Sequence, residues 1–169
     1  MNDARYVAFV EEHWDRYLRL ARLLTADRHR GEDLLQDCLV KLYVHWRRAA
    51  ARGDPHAYLR RMLVNGNVSR WRRQHREYLV GQPPERPDPA ASHDESPRHE
   101  LRRALLSLPD RQRAVVVLRH YEDLTERETA TLLRCTVGTV KSQNARALRR
   151  LRELLGEDFA PEKVTNHDR

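Results

Sequence analysis

The sequence predicts an all-α protein of two small helical domains joined by a flexible linker. Apolar residues recur at three- and four-residue steps through most of the chain, the spacing of one face of an amphipathic helix. Only 6 glycines and 7% aromatic residues among 169 leave little material for the turns and pleated faces of a sheet protein. Finally, Gly81–Glu100 holds five of the eight prolines and no Val, Ile, Leu, Met, Phe, Trp or Tyr, so it cannot bury enough apolar surface to offset its ordering entropy. It reads as the linker (81–100) between domains at 1–80 and 101–156. A polar tail at 157–169 follows, where Phe159 and Pro161 either mark a contact or belong to a frayed end.

The first domain reads as three helices. Tyr6, Phe9, Val10, His13, Trp14, Tyr17, Leu18 and Ala21 form the first stripe. Asp27 is placed to cap the second helix, whose stripe is Leu34, Leu35, Cys38, Leu39, Leu42, Tyr43 and Trp46. After an Ala/Arg stretch, Asp54 as N-cap and Pro55 at the first helical position start the third. That helix presents Tyr58, Leu59, Met62 and Leu63 to a core, with Trp71 continuing the stripe further on. Gly66 inside it costs about 1 kcal/mol relative to alanine.

In the second domain Leu101–Leu108 is stopped by Pro109, and Asp110 caps Arg111–Tyr121. Thr125 and Glu128 form a capping box for a helix that runs to about Leu133. Thr136 caps the last helix, Val137 to about Leu155. Two short helices joined by a turn of about three residues make a helix-turn-helix, whose second helix enters the DNA major groove. Ala130 is small where the two cross, and Val140 packs back. The outer face shows Gly138, Lys141, Ser142, Ala145, Arg146 and Arg149, short-chained and positive. An ordinary helical hairpin with a solvated basic face is the competing reading. Arg134 occupies the turn position that glycine often holds, where a left-handed backbone costs roughly 1–2 kcal/mol.

Charge points the same way. Lys and Arg number 32 against 25 Asp and Glu, a formal charge of +7 and a pI near 9.9. Much of this belongs to solvated helix faces. Two stretches stand out because they contain no acid. Pro55–Arg76 carries Arg60, Arg61, Arg70, Arg72, Arg73 and Arg76; Val137–Arg152 carries Lys141, Arg146, Arg149, Arg150 and Arg152. Uncompensated positive stripes suit a polyanion, because each neutralised phosphate releases counterions.

Other classes fit poorly. The longest wholly apolar run, Ala114–Leu118, is far short of the roughly 20 residues of a membrane helix. Met1–Tyr6 has no secretory apolar stretch, so a cytoplasmic protein is expected. Cys38 and Cys135 make neither a disulfide framework nor a metal set. His13, His29, Glu32 and Asp33 are the nearest approach to a metal cluster, but Arg28 and Arg30 among them repel a cation and no known ligand spacing occurs. No catalytic residue, metal or other cofactor is expected.

Several motifs occur in an order that resembles a known family. Glu32-Asp33-Leu34-Leu35-Gln36-Asp37, within Leu23–Trp46, resembles regions 2.1–2.2 of bacterial sigma factors. Tyr58-Leu59-Arg60-Arg61 through Asn65, Asn67 and Trp71 to Arg73 is similar to their regions 2.3–2.4. Leu108-Pro109-Asp110-Arg111-Gln112 and Val137-Gly138-Thr139-Val140-Lys141-Ser142-Gln143 complete the pattern. Over residues 5 to 155 the chain resembles the extracytoplasmic-function (ECF) group, more narrowly the actinobacterial SigE-family type.

The resemblance implies a region 2 bundle that binds core RNA polymerase and melts the minus-ten element, and a region 4 helix-turn-helix that reads the minus-thirty-five element. It assigns Asp33, Gln36, Asp37 and Lys41 to the β′ clamp helices; from sequence alone that face reads equally as solvated. Arg52, Arg60, Arg61, Asn65, Asn67, Arg72 and Arg73 are assigned to the minus-ten strand, arginines for phosphates and carboxamides for base edges. Thr139, Lys141, Ser142, Gln143 and Arg146 are assigned to the minus-thirty-five duplex, the division between base and phosphate contacts left open. The polymerase β flap is a further expected contact, and an anti-sigma factor a further partner the resemblance allows. The alternative is a stand-alone helix-turn-helix regulator that binds duplex DNA without polymerase.

Overall fold

The computed structural model describes residues 2–51, 53–79 and 97–161. These form eight α-helices, and the chain divides into two compact units, Met1–Arg70 and Trp71–Arg169. The linker expected at 81–100 lies outside the described residues up to 96. Its last four residues belong instead to the first turn of a helix opened by Pro97, a residue suited to that position.

The first unit is built on α1 (Asn2–Thr25), α2 (Arg28–Val44), α3 (Trp46–Ala51) and the start of α4 (Pro55–Leu79). Phe9, Tyr17, Leu20, Ala21 and Leu24 are the buried seam of α1, while Val10, His13, Trp14 and Leu18 lie half-buried along its edge. Asp27 caps α2 as its sequence position predicts, accepting from the Arg30 amide at 2.8 Å. Gly31 lets α1 and α2 touch: a Cβ there would lie 2.8 Å from Arg22 Cα.

Leu34, Leu35, Cys38, Leu39 and Leu42 of α2 are buried, but Tyr43 is half exposed rather than part of that stripe. The Ala/Arg stretch is a short helix of its own, α3, which buries Trp46 and Ala49. Tyr6 binds this corner together, donating its hydroxyl to the Leu39 carbonyl at 2.9 Å with its ring edge-on to Tyr43 and Trp46. Asp54 caps α4 through the Ala57 amide, 2.8 Å away. Leu59, Leu63 and Val64 of α4 are buried, whereas Trp71 is only half-buried.

In the second unit α5 (Pro97–Ser107) leads to α6 (Asp110–Val116), which continues through a π-helical turn, Val117–Tyr121. Ala114–Leu118 are buried throughout, so this stretch of the helix has no wet face and packs into the core of the unit. Asp110 does not cap α6. Pro109 holds that position, and the Asp110 carboxylate pairs instead with Arg113. Arg113 is itself buried and also donates to the Leu108 carbonyl at 3.2 Å.

The capping box of α7 (Glu126–Leu133) is present as expected: Thr125 Oγ1 accepts from the Glu128 amide and Glu128 Oε2 from the Thr125 amide. Arg134 ends α7 in the left-handed region at φ 53°. The Cys135 amide then reaches back to the Ala130 carbonyl at 3.0 Å, the bond that closes a helix C-terminus of this kind. Thr136 caps α8 (Val137–Leu155) through the Thr139 amide. Phe159, beyond α8, is buried, so this part of the tail makes a contact.

Candidate nucleic-acid interface

The crossing of α7 and α8 rests on Val115, Ala130 and Val140, with Leu133 and Cys135 packed against them. Further along α8, Ala147 and Leu151 are fully buried. His120 on the π-turn meets the Asn144 carboxamide at 3.0 Å. One long side of α8 is thereby fixed, and the other is left to solvent.

On that open side Gly138, Ser142, Ala145 and Arg149 run down the middle, with Lys141 and Arg146 on its flanks; all six are exposed. Arg149 therefore belongs with the expected interface residues, as its four- and seven-residue spacing from Ala145 and Ser142 signals. Thr139 is tied to the cap, its hydroxyl 2.9 Å from that of Thr136. Ser142 donates to the Thr139 carbonyl at 3.0 Å and keeps acceptor capacity outward. Gln143 is half-buried toward the packed side rather than central to the open face. Lys141 lies 3.7 Å from Glu126 on α7, so this stripe is free of acid in sequence but not in space.

Along α4, at about 100° per residue, Arg61, Asn65, Arg72 and Arg76 fall on one side of the helix. The three arginines are exposed and Asn65 is half-buried. Arg76 is an addition to the expected set. Arg73 is exposed off this line, and Arg60 is half-buried. Asn67 does not lie with them: it is buried, and its amide donates to the Leu24 carbonyl at 3.3 Å, tying α4 to α1. Its position suits an interior carboxamide, because the polar group is satisfied by backbone. Arg52 lies outside the described residues.

Asp33, Gln36, Asp37 and Lys41 share the exposed side of α2. Val40 and Val44 lie on that side too and are 66% and 71% exposed, which makes the face partly apolar and suited to a protein surface. Asp37 pairs with Arg70 on α4 at 3.2 Å. Glu32 faces Arg22 at 2.5 Å and Arg28 at 3.5 Å; hydrogen bonding from Arg22 holds its carboxyl below the usual range. Among the described residues no group of three or more His, Cys, Asp or Glu is placed to hold a metal ion, and no helix is long and apolar enough to cross a membrane.

Burial pushes the Cys38 thiol up to about 11 and raises that of Cys135. Both are therefore poor nucleophiles near neutral pH.

Comparison with known proteins covers the same two units. Residues 9–77 match Sigma-70 region 2, and residues 98–151 match Sigma-70 region 4. The RNA polymerase sigma-E factor of Streptomyces avermitilis is 41% identical over 152 residues, covering 87% of this chain and 83% of the relative. That of Streptomyces coelicolor is 38% identical over 163 residues, covering 95% and 92%. Among solved structures, the sigma factor RpoE of Bartonella quintana, in complex with the anti-sigma factor NepR, superposes with a TM-score of 0.68 at 26% identity, covering 90% of this chain and 99% of that one. CnrH, solved with the cytosolic domain of CnrY, shares the fold with a TM-score of 0.58 at 23% identity.

Proposed function

The chain belongs to the ECF sigma factors of the sigma-70 family, and from that membership we propose how its surfaces divide the work of promoter-specific initiation. It is an RNA polymerase sigma factor. The observation that carries this is a region 2 match over residues 9–77 ahead of the helix-turn-helix. A stand-alone regulator would have a dimerisation or sensing domain in that place, and that reading is not favoured.

The side of α2 that carries Asp33, Gln36, Asp37 and Lys41 docks on the β′ clamp helices of core polymerase, with Val40 and Val44 supplying apolar contact. Charge steers such an encounter, and desolvated apolar contact holds it. The α4 side with Arg61, Asn65, Arg72 and Arg76 takes the melted minus-ten strand. There arginines bind phosphate and the Asn65 carboxamide offers both donor and acceptor to an exposed base edge. On α8, Lys141, Ser142, Arg146 and Arg149 face the minus-thirty-five duplex, phosphate contacts setting register and base contacts selecting sequence. Region 4 also meets the β flap.

The protein works in the cytoplasm without a catalytic centre, cofactor or metal of its own. An anti-sigma factor is a further partner, by similarity to the RpoE complex.

Holoenzyme assembly tests the docking side. On size-exclusion chromatography with core polymerase the wild-type chain is expected to co-elute, and the Asp33→Lys, Asp37→Lys double variant to elute alone. Co-elution of the double variant at wild-type stoichiometry contradicts the assignment.

A further inference from the structure

Six arginines lie in the acid-free stretch of α4, and one of them, Arg70, turns away from the side that carries Arg61, Arg72 and Arg76. Arg70 comes nine residues after Arg61, which at about 100° per residue turns it to the opposite side of the helix. There it meets α2, with Nη2 3.2 Å from Asp37 Oδ2. The two helices also lie close one turn earlier. Gly66 faces α2, and a Cβ on it would lie 2.7 Å from Leu34 Cδ1 and 4.0 Å from Cys38 Sγ. Residue 66 puts no side chain of its own between the helices, and Arg70 spans the gap to the residue beside Cys38.

The pair is asymmetric. Arg70 is 33% exposed and Asp37 62%, so the guanidinium is held against the helices while the carboxylate still looks outward. An aspartate on an open helix face samples several rotamers, and a partner must freeze one. A charge-assisted bond from a neighbouring helix selects the rotamer in advance. We propose that Arg70 is a positioning residue for polymerase binding: it touches neither DNA nor polymerase, and acts by fixing the direction in which Asp37 presents its carboxylate. The inference rests on the reading of the α2 side as the docking surface. It also removes Arg70 from the nucleic-acid stripe in which its sequence neighbours place it.

A double-mutant cycle on affinity for purified Streptomyces core polymerase tests this, with full-length chains and a thermal melt of each. Asp37→Ala is expected to weaken binding, and Arg70→Ala to weaken it about three- to tenfold. In the Asp37→Ala background, Arg70→Ala should then cost nothing further. Arg70→Lys, which keeps the charge but loses the fork, should recover part of the loss; it also keeps the test open if Arg70→Ala does not fold. An equal loss from Arg70→Ala in both backgrounds overturns the proposal, because Arg70 then acts without Asp37. Full affinity in Arg70→Ala, with Asp37→Ala impaired, overturns it as well. Full affinity in Asp37→Ala removes the docking reading itself, a separate failure that takes the proposal with it.

Discussion

Gly31 of α2 lies against the backbone of Arg22 in α1, so closely that a Cβ on residue 31 would stand 2.8 Å from Arg22 Cα and 2.9 Å from its amide nitrogen. The same crossing carries the ion pair of Arg22 with Glu32. Backbone cannot step aside as a side chain can, so the packing of α2 on α1 depends on this hydrogen-sized side chain.

Gly31→Ala is therefore expected to destabilise the protein by about 1–3 kcal/mol, overpacking outweighing the helix propensity gained. Gly66→Ala makes the useful contrast. Its clash is with the end of the Leu34 side chain, which can move, and the alanine gains about 1 kcal/mol of propensity. Denaturant melts should show a clear drop in midpoint for the first variant and little change for the second. Equal effects would mean that the α1–α2 contact is not limiting.

Arg134 closes α7 with φ 53°, a conformation that penalises any side chain. Arg134→Gly relieves roughly 1–2 kcal/mol of strain and returns some of it as unfolded-state entropy. The expected net effect is a stabilisation of about 1 kcal/mol in a denaturant melt. A loss of stability would show that the arginine side chain contributes more to the turn than its backbone costs.

His56 sits under α1 with its Nδ1 2.8 Å from the Tyr17 hydroxyl and its ring 4.5 Å from that of His13. Burial, then His13, Arg16 and Arg60, lower its pKa, with Asp54 opposing them. The folded value thus lies below the unfolded value of about 6.5. Between the two the unfolded chain binds more protons, so stability rises with pH. The contribution is complete above about pH 6.5 and is lost as pH falls through the folded value. Melting temperature should fall from about pH 7.5 to about pH 5.5 more steeply in the wild type than in His56→Asn. Parallel curves would contradict this.

Lys141 lies 3.7 Å from Glu126, an ion pair with which DNA approaching α8 would have to compete. Glu126→Gln releases it and should tighten duplex binding, by no more than a few fold for so exposed a pair. Lys141→Ala should weaken binding and reduce the slope of log affinity against log salt by about 1. Fluorescence anisotropy across a salt series measures both. An unchanged slope in Lys141→Ala would show that the ammonium does not contact phosphate.

Much of this architecture is readable from sequence because its signals are local. Asp27, Asp54, Thr125 with Glu128, and Thr136 each satisfy amides three residues away, and such bonds depend on little else. The outer face of α8 follows from the helical repeat alone. What escapes sequence reading is what another helix supplies. Asn67 looks like a base reader until Leu24 of α1 is seen to take its amide. Arg70 and Lys141 look uncompensated until Asp37 and Glu126 arrive from neighbouring helices. Asp110 fits the cap position by type, yet the buried Arg113 claims its carboxylate. Phe159 resembles a frayed end because its neighbours are polar, yet the folded chain buries it. The α2 side could be assigned to polymerase only through family resemblance, since a docking face and a solvated one share the same composition.

Run-off transcription with core RNA polymerase tests the account most directly. Core enzyme supplemented with this chain should start transcripts from a matched promoter that core enzyme alone ignores. Asn65→Ala should depress those transcripts while holoenzyme still assembles. A chain that binds duplex DNA unaided yet yields no new start sites with core polymerase would contradict it.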